Sequence, residues 1–111
     1  MPANNVGCVV TLTTAGTRYK LASLVSAIDP AFLGVVNYLN LFSPFANGGA
    51  IIYKGDSAVT SSRYGYVLAV GGYQETIAPF RRLINWNDIW VVADTNNTVL
   101  AVDAALWVEG A

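Results

Sequence analysis

Apolar residues alternate with polar or small ones along much of this chain, and the period is that of a strand. In the first run, Val6 to Leu12, residues Val6, Cys8, Val10 and Leu12 share one side, and the β-branched members suit a pleated surface. Thr13-Thr14-Ala15-Gly16-Thr17 reads as a turn. The period then changes. Leu21, Leu24, Val25 and Ile28 stand at i, i+3, i+4 and i+7 and predict a short helix starting at Lys20. Asp29-Pro30 closes it, because proline disfavours a helical residue before it. Two helical turns do not persist alone, so the stripe is expected to dock on the edge or open end of a sheet.

Further strands are expected over Val35–Phe42 (interrupted by Asn37 and Asn40), Ala50–Tyr53, Tyr64–Val70 and Tyr73–Ile77. Gly71-Gly72 predicts a hairpin turn between the last two. Residues 79–87 form a connector carrying Arg81, Arg82 and Trp86. Ile89–Ala93 and Thr98–Val108 then flank Asp94-Thr95-Asn96-Asn97, a second hairpin signal. In the last strand Leu100, Val102, Ala104, Leu106 and Val108 point one way. Val99, Ala101, Asp103, Ala105 and Trp107 point the other way. That second set is barely polar where a solvated face would be, so both faces are expected to be covered, one of them by another layer or subunit. About seven short strands separated by turn signals predict an all-β, antiparallel β-sandwich of jelly-roll-like form. It has one short helix near the N-terminus. The expected organisation is an arm at 1–5 and a single domain over 6–111.

Charge sharpens this picture. Asp, Glu, Lys and Arg make up 12% of the 111 residues while hydrophobic residues make up 54%, against an average charged share of roughly 25%. Each charge then serves about 450 Å² of folded surface, comparable to the largest apolar patch a typical monomer tolerates. A chain this apolar can bury enough surface to fold, which excludes disorder. A net charge of −1 argues against direct nucleic-acid binding. Pro30 to Tyr53 lacks charge but contains Asn37, Asn40, Ser43, Pro44 and Asn47. It therefore falls short of the apolar run a membrane helix needs. Met1 to Asn5 shows no secretory pattern. The expectation is a folded, self-associating domain.

Conventional catalytic chemistry has little to work with. The chain has no histidine, which removes imidazole bases and imidazole metal sites. Cys8 is the sole cysteine, so no internal disulfide or thiolate zinc site forms; it reads as a small buried hydrophobe. No cofactor or metal is expected. Glu75 and Asp88 are the carboxylates that could meet across strands, as a glycosidase would require, but nothing in their spacing demands it. Asp29, Asp56 and Asp94 sit beside Pro, Gly or Asn as turn residues do. Arg81-Arg82 suits a solvated corner or an acidic patch on a partner. The aromatics, among them Tyr64, Tyr66, Tyr73, Trp86, Trp90 and Trp107, suit core, interface or sugar stacking.

One stretch adds a resemblance. The chain runs Ile-Tyr-Lys-Gly-Asp-Ser-Ala-Val-Thr (51–59), Tyr-Gly-Tyr-Val-Leu (64–68) and Gly-Gly-Tyr-Gln-Glu-Thr-Ile (71–77). It continues with Asp-Ile-Trp-Val-Val-Ala-Asp-Thr (88–95) and Thr-Val-Leu-Ala-Val (98–102). This order resembles small virion structural proteins of tailed bacteriophages, departing from them at Val70-Gly71, where Pro-Gly is more usual. The resemblance implies a non-enzymatic capsid decoration or cement subunit on the virion exterior. Its expected partners are copies of itself, as a dimer or trimer, and the major capsid protein. Arg81, Arg82, Trp86, Trp90 and Trp107 are the expected contact residues. The alternative is a tail, neck or fibre module that stacks host glycans on Tyr64, Tyr66 or Tyr73.

Overall fold

Among the described residues, ten strands and one short α-helix are laid out by these alternations in a computed structural model. It describes residues 2–29, 35–78 and 82–107, with only the backbone of 2–6 and 107. The strands are β1 (Pro2–Leu12), β2 (Tyr19–Lys20), β3 (Val35–Val36), β4 (Tyr38–Phe42), β5 (Ile52–Gly55), β6 (Tyr66–Leu68), β7 (Tyr73–Ile77), β8 (Ile84–Asn85), β9 (Trp90–Ala93) and β10 (Thr98–Trp107). One four-stranded sheet, here sheet A, has the order β1-β10-β4-β7. A second, sheet B, has the order β2-β9-β5-β6, and β3 and β8 form a small ribbon. Every pairing is antiparallel.

A single apolar cluster draws on both large sheets. Val10 and Leu12 of β1, Leu39 and Leu41 of β4, and Leu100, Val102 and Ala104 of β10 enter it from sheet A. Ile52, Leu68, Val91 and Ala93 enter from sheet B. In each strand these are alternate residues, as the pleat requires. The helix α1 (Leu21–Ser26) adds Leu21, Ala22 and Val25. Its first turn is tied down where Leu21 N–H donates to the Ile89 carbonyl at 3.0 Å. The Cα radius of gyration, 13.6 Å, is close to the ~13 Å that a compact chain of this length has.

The structure departs from the sequence expectations in instructive places. The helix stops two residues short of the expected stripe, leaving Ile28 exposed. Val35–Phe42 is not one strand. It breaks at Asn37, whose carbonyl accepts from Ala78 N–H at 2.9 Å while its N–H donates to Ala105, and the two halves join different sheets. Neither expected hairpin exists. Gly71-Gly72 carries the chain from sheet B to sheet A, with Gly71 at φ +77°, and residues 94–97 do the same between β9 and β10. Each of these strands finds its partner far away in sequence, because a core lying between both sheets rewards crossing over. Among the described residues the one pair of consecutive large-sheet strands that hydrogen-bond is β5–β6. The first strand also runs back to Pro2, so residues 2–5 pair with β10 and do not hang free.

Trp86 is the largest fully buried side chain, 1% exposed. The 3-10 turn Trp86–Asp88 holds it, with Asn85 Oδ1 accepting from Asn87 N–H at 3.1 Å. Trp86→Ala is expected to cost about 3–5 kcal/mol in urea unfolding, and Trp90→Ala markedly less.

Candidate interaction face

The outer faces of the two large sheets differ in how far the chain itself covers them. The outer face of sheet B is partly covered by its own chain. Residues 56–63 fold back over it, burying Val59 completely, so closely that a Cβ on Gly55 would lie 3.0 Å from Val59 Cγ2. Tyr64 tilts against Tyr53 with ring centroids 5.1 Å apart. The loop is pinned by Arg63 donating to Asp56 at 2.9 Å. That bond, then the N–H of Ala58, holds the Asp56 carboxyl below its usual range.

Sheet A has no such cover among the described residues. Its register lines up Val9, Ala101, Phe42 and Tyr73 in one outward row. Gly7, Asp103, Asn40 and Glu75 form the next, and Ala105, Tyr38 and Ile77 the third, in which Ala105 is itself buried, 3% exposed. Val9 is 56% exposed, Tyr73 63%, Ile77 67%, and the neighbouring Phe45 80%. Phe45 meets Phe42 edge-on at 6.5 Å. A clamp from the 3-10 turn Phe45–Asn47 fixes its position. Asn47 accepts from Val99 N–H at 2.8 Å and donates to the Val99 carbonyl at 2.7 Å and to Ser43 Oγ at 2.8 Å. Between the rows lies a shallow depression of about 300 Å³ lined by Gly7, Val9, Asn40, Phe42, Ala101 and Asp103.

The charges on this face are of one sign. Asp103 and Glu75 stand on it, while the described cations lie on sheet B, on the loops, or ahead of β8. Tyr38 donates to Glu75 Oε2 at 3.1 Å. Burial, then Glu75 and Asp103, push the Tyr38 hydroxyl above its ordinary pKa. The face is thus apolar with an acidic centre, and its chemistry is adhesive. It suits a partner that brings apolar side chains together with Lys or Arg.

The expected contact residues do not gather here. Trp86, one of the expected contact residues, is 1% exposed and belongs to the apolar core, where the turn that carries it packs against α1 and β3. Trp90 is half-buried on sheet B beneath Lys20, whose ammonium sits 5.8 Å from the ring centroid. Arg82 is exposed ahead of β8. Arg81 lies outside the described residues, as does the side chain of Trp107, whose backbone pairs with Pro2. Of the tyrosines weighed for sugar stacking, Tyr64 lies against Tyr53, and Tyr66 donates to the Tyr73 carbonyl at 3.2 Å. Glu75 is on sheet A and Asp88 in the turn after β8. Cys8 packs against the core, and burial, then Asp29, raise its thiol pKa. Among the described residues no group of three His, Cys, Asp or Glu could hold a metal.

Val9, Phe45 and Ile77 were missed, although the alternation Tyr73, Glu75, Ile77 was legible as one face of a strand. What was not legible is that no loop among the described residues folds back over Val9, Tyr73 and Ile77. No family model, curated protein or solved structure matches the chain.

Asn47→Ala is expected to cost about 1–3 kcal/mol, because it strips hydrogen bonds from both main-chain groups of Val99. A thermal melt reads this loss. Cys8 is expected to alkylate far more slowly in the native protein than in urea at pH 8, since a raised pKa leaves less thiolate.

Proposed function

We propose that this protein is a non-enzymatic structural subunit of a phage particle, of the capsid decoration or cement type. It self-associates and bridges neighbouring capsid proteins on the outside of the shell. The observation that carries the reading is the uncovered outer face of sheet A. A soluble monomer keeps such a surface small or polar, whereas a particle subunit has neighbours to bury it. Each fully buried large apolar side chain contributes about 1.5–3 kcal/mol, set against the ordering cost of association.

The strand order supports the same reading. With the β3–β8 ribbon set aside and the remaining strands renumbered along the chain, sheet A reads 1-8-3-6 and sheet B reads 2-7-4-5. That order is compatible with a jelly-roll sandwich, an architecture used by viral capsid and lectin domains alike, and so supports the finer form of the expected fold. The sparse charge favours the first over the second. The acidic centre formed by Asp103 and Glu75 then selects a capsid surface bearing Lys or Arg, which fixes orientation as well as adding contact.

Mass spectrometry of purified particles from the producing phage is expected to find the chain in fixed stoichiometry with the major capsid protein. Ile77→Lys, which sets a cation on the exposed apolar face against a cationic partner, is expected to weaken attachment about tenfold or more. Absence of the chain from particles overturns the reading. So does a glycan-array signal that Tyr73→Ala removes, which would indicate a fibre module.

A further inference from the structure

Among the described residues the first strand ends sheet A without a further neighbour, and its main-chain groups can be assigned a direction. In an antiparallel strand the N–H and C=O of one residue point to the same side, and successive residues alternate. Asn47, just beyond β4, takes both groups of Val99. Val99, Ala101 and Asp103 therefore turn toward β4, and Leu100, Val102 and Ala104 toward β1. Their partners Val10, Cys8 and Val6 turn toward β10. The N–H and C=O of Gly7, Val9 and Thr11 consequently point out from the edge. No backbone group among the described residues meets them there.

Native sheets block such an edge with Lys, Pro, inward charges or a bulge. This one carries such devices only at its start, where Pro2 and the register irregularity between Pro2 and Asn4 sit; from Ala3 to Thr17 there is neither a charge nor a proline. We propose that β1 pairs antiparallel with β1 of a second copy across a twofold axis, joining two A sheets into one continuous sheet of eight strands.

A second copy is the occupant for two reasons of charge and geometry. Packing two A faces against each other would press Asp103 and Glu75 against their own copies in a dry contact without a cation, which is costly. Edge pairing brings together an uncharged strand and itself. It also sets residues of like parity opposite one another, so the outward Val9 side chains fall on one side of the joined sheet. The apolar row Val9–Ala101–Phe42–Tyr73 then runs on across the axis. The bare face is doubled in width and left open for the capsid. This contact rests on the self-association half of the reading above.

The test uses the full chain. Val9→Pro removes an edge N–H that β10 does not use, a position where sheets tolerate proline. By light scattering it is expected to raise the dimer dissociation constant about tenfold or more with an unchanged circular dichroism spectrum, while Ile77→Lys leaves the dimer intact. In the wild type, amide exchange at Gly7, Val9 and Thr11 is expected to slow as concentration rises, whereas Cys8 and Val10 are protected throughout. Fast exchange at Gly7, Val9 and Thr11 in associated protein overturns the edge contact, and does so even where Val9→Pro fails to fold. Association that survives Val9→Pro but is lost in Ile77→Lys also overturns it, leaving the particle reading standing. A wild type that stays monomeric at every concentration overturns the edge contact, while detection of the chain in particles decides the particle reading separately.

Discussion

Two four-stranded sheets present four faces, and the described residues supply apolar cover for fewer than four. The inner residues of both sheets meet in one cluster with α1 and Trp86, and the loop at 56–63 lies over part of sheet B. On sheet A, Val9, Tyr73 and Ile77 are left more than half exposed. The rest of the molecule's behaviour follows from that shortfall, because uncovered apolar area lowers its free energy by finding a partner.

Charge sets the terms on which it does so. With few ionic groups, the surface has little to keep copies apart, and the two carboxylates on the open face are what give it direction. They discourage the face from closing on itself and favour a cationic neighbour. The edge of β1 carries no such instruction, and hydrogen bonding along it is indifferent to charge. On the proposed reading, a face for one kind of partner and an edge for another would divide the work of a subunit that holds other proteins together.

The small polar contacts serve this arrangement. Asn47 occupies the place along β10 where β4 has ended, and in doing so positions Phe45 beside Phe42. Lys54, partly desolvated and with its pKa lowered by burial, reaches across from sheet B to Gln74 on β7. Tyr66 crosses the same gap to the Tyr73 carbonyl. These bonds tie the sheets at the side opposite α1, where no helix is available to do it.

The residue pattern alone determined the strand character of most segments, the inward set in β1 and β10, the short helical stripe and the shortage of charge. Those are local properties, since the pleat and the helical turn repeat within a few residues. It also carried the warning that the second face of the last strand was too apolar for water. Which strands pair was decided only in three dimensions. Gly71-Gly72 and residues 94–97 look like hairpin turns, yet each strand they join is held by partners distant in sequence. Trp86 and Trp90 are both Trp residues near a turn, yet one fills the core and the other lies beneath Lys20. A turn fixes the reversal of the chain but not the sheet it enters, and an aromatic ring is equally at home in a core or at an interface. Only the packing of the whole chain settles both.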